Sequence, residues 1–222
     1  RYAGLSADRR APSTQSMSTT HAAASLARMS ASSRACVGHG VAPTENDLDF
    51  RGRQVWGDVH DPGAALYGGV AGHAGLFSDA NDVAVLMQLL LNGGTYGGQR
   101  YLKDEVVKQF TACRFCTPEG GTNRRGLGWD KPTPRGQQGP TCDCVSYSSF
   151  GHTGFTGTMV WADPEDDIVY VFLSNRVYPS ATNKKLQDLN IRPRIQQVVH
   201  DAIDKRGSTP MKAASEQRSS KK

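Results

Sequence analysis

Hydrophobic positions fall into clear periods only in the middle of the chain. Over residues 78–91, Val83, Leu86, Met87, Leu90 and Leu91 recur at i, i+3, i+4, i+7 and i+8, the apolar stripe of an amphipathic helix. Ser78 or Asp79 stands where an N-cap acceptor belongs, and Asn92-Gly93-Gly94 suits a left-handed helix end. "QRYL" (99–102) reads as a short extended piece, and "KDEVVKQFT" (103–111) as a short helix with Val106, Val107 and Phe110 turned inward. "RGLGWD" (125–130) alternates like a strand. The strongest β signal is "GTMVWA" (157–162) and "DIVYVFLSN" (167–175) around the acidic turn "DPEDD", an antiparallel hairpin. Its second run is nearly all apolar, which predicts a central strand covered on both faces. A last helix begins near Pro193, with Ile195, Val198, Val199, Ala202 and Ile203 as its buried stripe.

Helices and a local antiparallel hairpin, without alternating βαβ units, define an α+β domain over about 41–204. Residues 57–78, with Gly57, Gly63, Gly68, Gly69, Gly72 and Gly75, form a long glycine-rich loop of the kind that wraps a site. Residues 131–146 read as mobile. The ends lack any pattern. Residues 1–40 carry five Arg and one acidic residue, Asp8, and residues 205–222 are rich in Lys and Arg. The expectation is an unstructured or non-native leader over 1–40 and a disordered basic tail over 205–222.

Charge then changes the picture little. The formal net charge is +5, but the basic excess sits in the two ends and no aromatic residues interleave with it, so nucleic acid is not an expected partner. No apolar run is long enough to span a membrane.

The candidate chemistry lies in "SSFGHTGFTGTMVWADP" (148–164), where His152-Thr153-Gly154 heads the first hairpin strand. Gly154 and Gly157 allow close approach to the backbone. A substrate laid there could meet the Thr153 hydroxyl. His152 could bind an anionic group or relay a proton, and the Phe155 N–H could form one arm of an oxyanion hole. A strand start with a satisfied histidine is the plainer alternative.

These residues resemble the end of the serine β-lactamase and penicillin-binding-protein superfamily. His152-Thr153-Gly154 stands where that family carries a Lys-Thr-Gly motif on a sheet-edge strand. "GGVAGHAGLFSDANDVAVLMQLLLNGG" and "RRGLGWD" resemble its glycine-rich turn into a helix and its "GLGW" strand. The longer blocks resemble a bacterial branch often fused to a family 3 glycoside hydrolase domain. The resemblance implies a partial β-lactamase/transpeptidase-like fold, with an antiparallel sheet packed by helices. It also implies acyl transfer from an amide or ester to water, a small-molecule or cell-wall peptide substrate, no cofactor, and a periplasmic or secreted location. His152 would be the catalytic residue, and Thr153, Gly154, Phe155 and His73 would bind substrate.

The departure is the nucleophile. The family's serine lies in Ser-x-x-Lys, and the one such quartet in this sequence is Ser219–Lys222, in the patternless tail. A Tyr-x-Asn motif is also missing. The expectation is a fragment that is inactive alone and partners the missing N-terminal half of its own domain. A non-catalytic module binding cell-wall peptide or glycan is the alternative.

Two further clusters carry possible ligands. Asp58, His60, Asp61 and His73 lack a recognisable metal-ligand spacing. Cys113-x-x-Cys116 and Cys142-x-Cys144 could hold zinc, form a disulfide between the two loops, or stay as thiols, with Cys36 left over. The second spacing is tight for a zinc knuckle, and the exported location implied by the resemblance favours a disulfide. No metal is expected. Arg124 and Arg125 read as a solvated loop.

Overall fold

The computed structural model describes residues 40–116 and 124–207. The expected leader (except Gly40), most of the expected tail, Cys36 and Ser219–Lys222 lie outside the described residues.

The elements run in order β1 (Glu45–Asp47), β2 (Arg53–Val55), α1 (Pro62–Leu66), α2 (Ala80–Leu91), β3 (Thr95–Tyr96), β4 (Gln99–Arg100), α3 (Asp104–Thr111), β5 (Phe150–Thr153), β6 (Met159–Asp163), β7 (Ile168–Phe172), α4 (Lys185–Asp188) and α5 (Ile191–Gly207). The β1–β2 and β3–β4 pairs are small antiparallel ribbons, while β5-β6-β7 is a three-stranded antiparallel sheet. This is the expected α+β architecture.

The sheet's two faces follow from the strand period of two. On one face, Phe150, Ala162 and Val169 pack with Ala84 and Met87 of α2. On the other, Met159, Trp161 and Tyr170 pack with Cys142 and Val145 of the preceding loop and with Val199 of α5. The expected hairpin is present, but its second strand is not the central one. β6 is the middle strand, and the more apolar β7 lies at one edge among the described residues. Its Ile168, Val169 and Tyr170 are buried all the same, because cover over both faces, not position in the ladder, sets the apolar content.

Helix α2 starts where expected. The Asp79 carboxylate accepts from the N–H groups of Asn81 and Asp82, and Gly93 and Gly94 take positive φ beyond Asn92. Its buried surface is wider than one stripe. Ala84, Val85, Met87 and Leu89 are buried, because the sheet covers one side while Tyr96 and Tyr101 of the adjoining ribbon pack near Val85 and Leu89 on another.

Other expectations need correction. In α3 only Val107 is buried, while Val106 and Phe110 stay exposed. "RGLGWD" is a tight loop whose ends bridge, Arg125 to Asp130, with Asp130 bridging on to Gly151. The inward face of α5 carries Pro193, Gln196 and His200, and leaves Ile195, Val198 and Ala202 outside. The segment 131–146 is pinned. Lys131 is buried, and its Nζ donates to the Thr111 carbonyl at 3.0 Å and the Ser148 carbonyl at 2.7 Å. Buried Asp163 accepts from the Ser146 N–H at 2.7 Å and the Ser146 hydroxyl at 2.5 Å. The cysteines pair within each loop, Cys113 with Cys116 and Cys142 with Cys144, not between the loops.

Candidate functional site

The His-Thr-Gly triplet closes a strand instead of opening one. Phe150–Thr153 form β5, paired with β6 in the register His152↔Val160 and Thr153↔Met159. The next residues turn the chain into β6. The Gly154 N–H donates to the Thr158 carbonyl at 2.8 Å, and the Gly157 N–H to the Gly154 carbonyl at 3.0 Å. Gly157 has φ +116°, and a Cβ there would lie 2.5 Å from the Ser174 hydroxyl oxygen, so only glycine completes this turn.

Strand β5 holds the edge opposite β7. Among the described residues, its outer side is bridged only at Gly151, where Asp130 exchanges backbone hydrogen bonds of 2.7 and 3.2 Å. A Cβ on Gly151 would run into the Val160 carbonyl oxygen and the Trp161 ring. That glycine lets β5 lie flat on β6 and fixes the height of His152.

The His152 imidazole is held at both nitrogens. Nδ1 lies 2.9 Å from the Thr153 carbonyl oxygen, and Nε2 lies 3.2 Å from the Arg125 guanidinium. A guanidinium only donates, so Nε2 accepts and Nδ1–H donates. Arg125 also pairs with Asp130, Nε to Oδ1 at 3.0 Å, and Asp130 Oδ2 stands 4.0 Å from His152 Nε2.

Phe155 sits at the turn tip, 63% exposed. Its carbonyl accepts from Arg176 Nε at 2.8 Å, and the same guanidinium lies 4.4 Å from its ring centroid. The His60 ring stacks on it at 5.5 Å and 21°, while His60 Nε2 lies 2.7 Å from Glu45 Oε2. Buried Arg176 also donates to the Ala181 and Asn183 carbonyls, so one side chain joins the turn to the 181–183 loop.

The structure therefore brings together His152, Thr153, Gly154 and Phe155. His73 pairs with Asp61, next in sequence to His60, whose ring stacks on Phe155. The His73 Nε2 lies 3.0 Å from Asp61 Oδ1, and Asp61 caps α1 through the Ala64 N–H. That N–H and then His73 hold the Asp61 carboxyl below the usual carboxylate range. Asp58 pairs with Arg53, so the acidic and histidine residues of this loop divide among separate partners. Sequence reasoning missed His60, Arg125, Asp130 and Arg176. Arg125 reads from the sequence as part of a solvated loop, with no signal joining it to β5.

An edge strand presenting a held imidazole, a threonine and a glycine turn is suited to gripping an extended acyl substrate. The comparisons give the chain a family. The beta-lactamase family model matches residues 7–191, and the chain belongs to that family. Among curated relatives, a protein named "Putative D-alanyl-D-alanine carboxypeptidase" from Salmonella agona (strain SL483) is 43% identical over 140 residues, covering 62% of this chain and 31% of the relative. Its counterpart from Salmonella newport (strain SL254) gives the same identity and coverage. The chain thus spans less than a third of the length of these relatives. Among solved structures, a beta-lactamase from Mycobacterium bovis aligns with TM-score 0.43 and 22% identity, covering 61% of this chain and 47% of the other. A penicillin-binding protein homolog from Caulobacter crescentus aligns with TM-score 0.37 and 27% identity, over 46% and 27%.

Proposed function

We propose that this chain carries the substrate-holding strand of a serine acyl hydrolase acting on peptides that end in D-alanyl-D-alanine, and that it does not acylate on its own. The observation that carries the reading is the held imidazole at the free end of β5, next to Thr153 and the exposed Phe155 turn. The substrate's chain would lie along this edge. The Thr153 hydroxyl would donate to it, and Arg125 would meet its terminal carboxylate. The Phe155 N–H, which has no acceptor among the described residues, would form one arm of the oxyanion hole.

Covalent chemistry requires a serine activated by a neighbouring base. The Ser-x-x-Lys quartet of this sequence, Ser219–Lys222, has no patterned segment around it to present it to β5. The nucleophile would come from another part of the parent protein. A family 3 glycoside hydrolase domain in that parent belongs to the same proposal and would supply none of the groups described here.

The test pairs intact-mass spectrometry with NMR. After incubation with a penicillin, the chain should show no added mass. A peptide ending in D-alanyl-D-alanine should shift the imidazole signals of His152, and the Arg125→Ala variant should weaken that binding about tenfold. A penicilloyl adduct would refute the silent nucleophile, and unmoved His152 signals would refute the substrate strand.

A further inference from the structure

We propose that Cys142, Cys144 and His200 form a thiol-dependent binding site for a thiophilic divalent cation such as zinc. One donor atom from each of the three residues lies within 4.8 Å of the other two. A tetrahedral zinc site with Zn–S of about 2.3 Å and Zn–N of about 2.0 Å spaces its donors roughly 3.5 Å apart. Reduction frees the two sulfurs, bonded to each other in the structure, to separate to that spacing, and with His200 they make three-quarters of that shell and leave a fourth position for water.

The surroundings match the charge of such a site. Cys142 and His200 are buried, and Cys142 shares a core cluster with Val145, Met159, Trp161 and Tyr170. An isolated charge would be costly there, but two thiolates neutralise a divalent ion, so the assembled centre carries none. Asp166 Oδ2 stands 3.9 Å from His200 Nδ1, placing a carboxylate beside the ring as metal-bound histidines commonly have. The Gln196 amide oxygen accepts from the Cys142 N–H at 3.1 Å and lies 3.5 Å from its sulfur. That second contact is a hydrogen bond only when the sulfur carries a proton. The buried Tyr170 hydroxyl has no partner among the described residues, and a metal-bound water could donate to its oxygen. The same site explains why α5 turns Gln196 and His200 inward and leaves Ile195 and Val198 outside.

In the structure Cys142 and Cys144 are joined as a disulfide, so binding needs the reduced pair. A phosphine supplies the electrons: phosphine, disulfide and water give phosphine oxide and two thiols. The thiols lose their protons to solvent as the metal binds.

The test uses the full chain, phosphine-reduced and titrated with cobalt(II), then with zinc. The reduced chain should show thiolate-to-cobalt charge-transfer absorption that saturates at about one ion per chain and disappears as zinc displaces cobalt. Cys144→Ser or His200→Gln should weaken binding by about tenfold or more, while Cys113→Ser with Cys116→Ser should leave it unchanged. Zinc should also protect Cys142 and Cys144 of the unmutated chain from alkylation while Cys113 and Cys116 still react, a readout that depends on no variant folding. No thiolate–cobalt band in the reduced chain would overturn the proposal. So would a band that survives Cys144→Ser unchanged, or one that requires Cys113 and Cys116.

Discussion

Lys131 shows how one residue can organise a loop while carrying an unfavourable charge. Its ammonium group ties the end of α3 to the entry of β5 through the Thr111 and Ser148 carbonyls. Burial first, and Arg124 second, bring its pKa down from 10.5 to about 8. The unfolded chain therefore binds the proton more tightly than the folded one. Between pH of about 8 and 10.5 the folded state has lost that proton and the unfolded state has not, so stability from this residue rises with pH across that window and is lost as pH falls through 8. Urea unfolding of the parent chain and of Lys131→Met at pH 7 to 10 isolates the effect. The parent's stability relative to the variant should increase with pH, and a constant difference would mean that Lys131 is not desolvated in the folded state.

Among the elements, β5 depends on a missing side chain. Gly151 faces the Val160 carbonyl oxygen and the Trp161 ring, so Gly151→Ala should cost about 1–3 kcal/mol of stability. It should also move the His152 signals, as read by urea unfolding and NMR. A neutral substitution would show that β5 and β6 can separate without loss. The sequence revealed α2, the β6–β7 hairpin and the existence of α5, because each carries a period that burial enforces. It misjudged the face of α5, since the buried side is built from polar Gln196 and His200 and the outer side includes Ile195 and Val198. Periodicity ranks faces by apolarity, and here polar groups meeting the Cys142 loop decide instead. The His-Thr-Gly strand was legible as a motif. Its partners Arg125, Asp130, His60 and Arg176 were not, because they arrive from distant loops without any period.

At the scale of the molecule, the 48–76 region puts Leu48, Leu66, Tyr67, Val70 and Leu76 in solvent, each more than half exposed. That much apolar surface on one stretch is uncommon for a monomer facing only water. The folded chain should enhance the fluorescence of an anilinonaphthalene sulfonate dye, with the signal falling when urea unfolds it. Fluorescence no greater than that of the unfolded chain would mean these side chains are covered in solution.

The hold on His152 also sets an order of events. While Arg125 donates to Nε2, that lone pair is occupied. A carboxylate entering beside β5 would compete for the guanidinium and draw it away, and the nitrogen would be released by the same movement that seats the ligand. Under the proposed function, arrival of the ligand and release of the imidazole would then be one event.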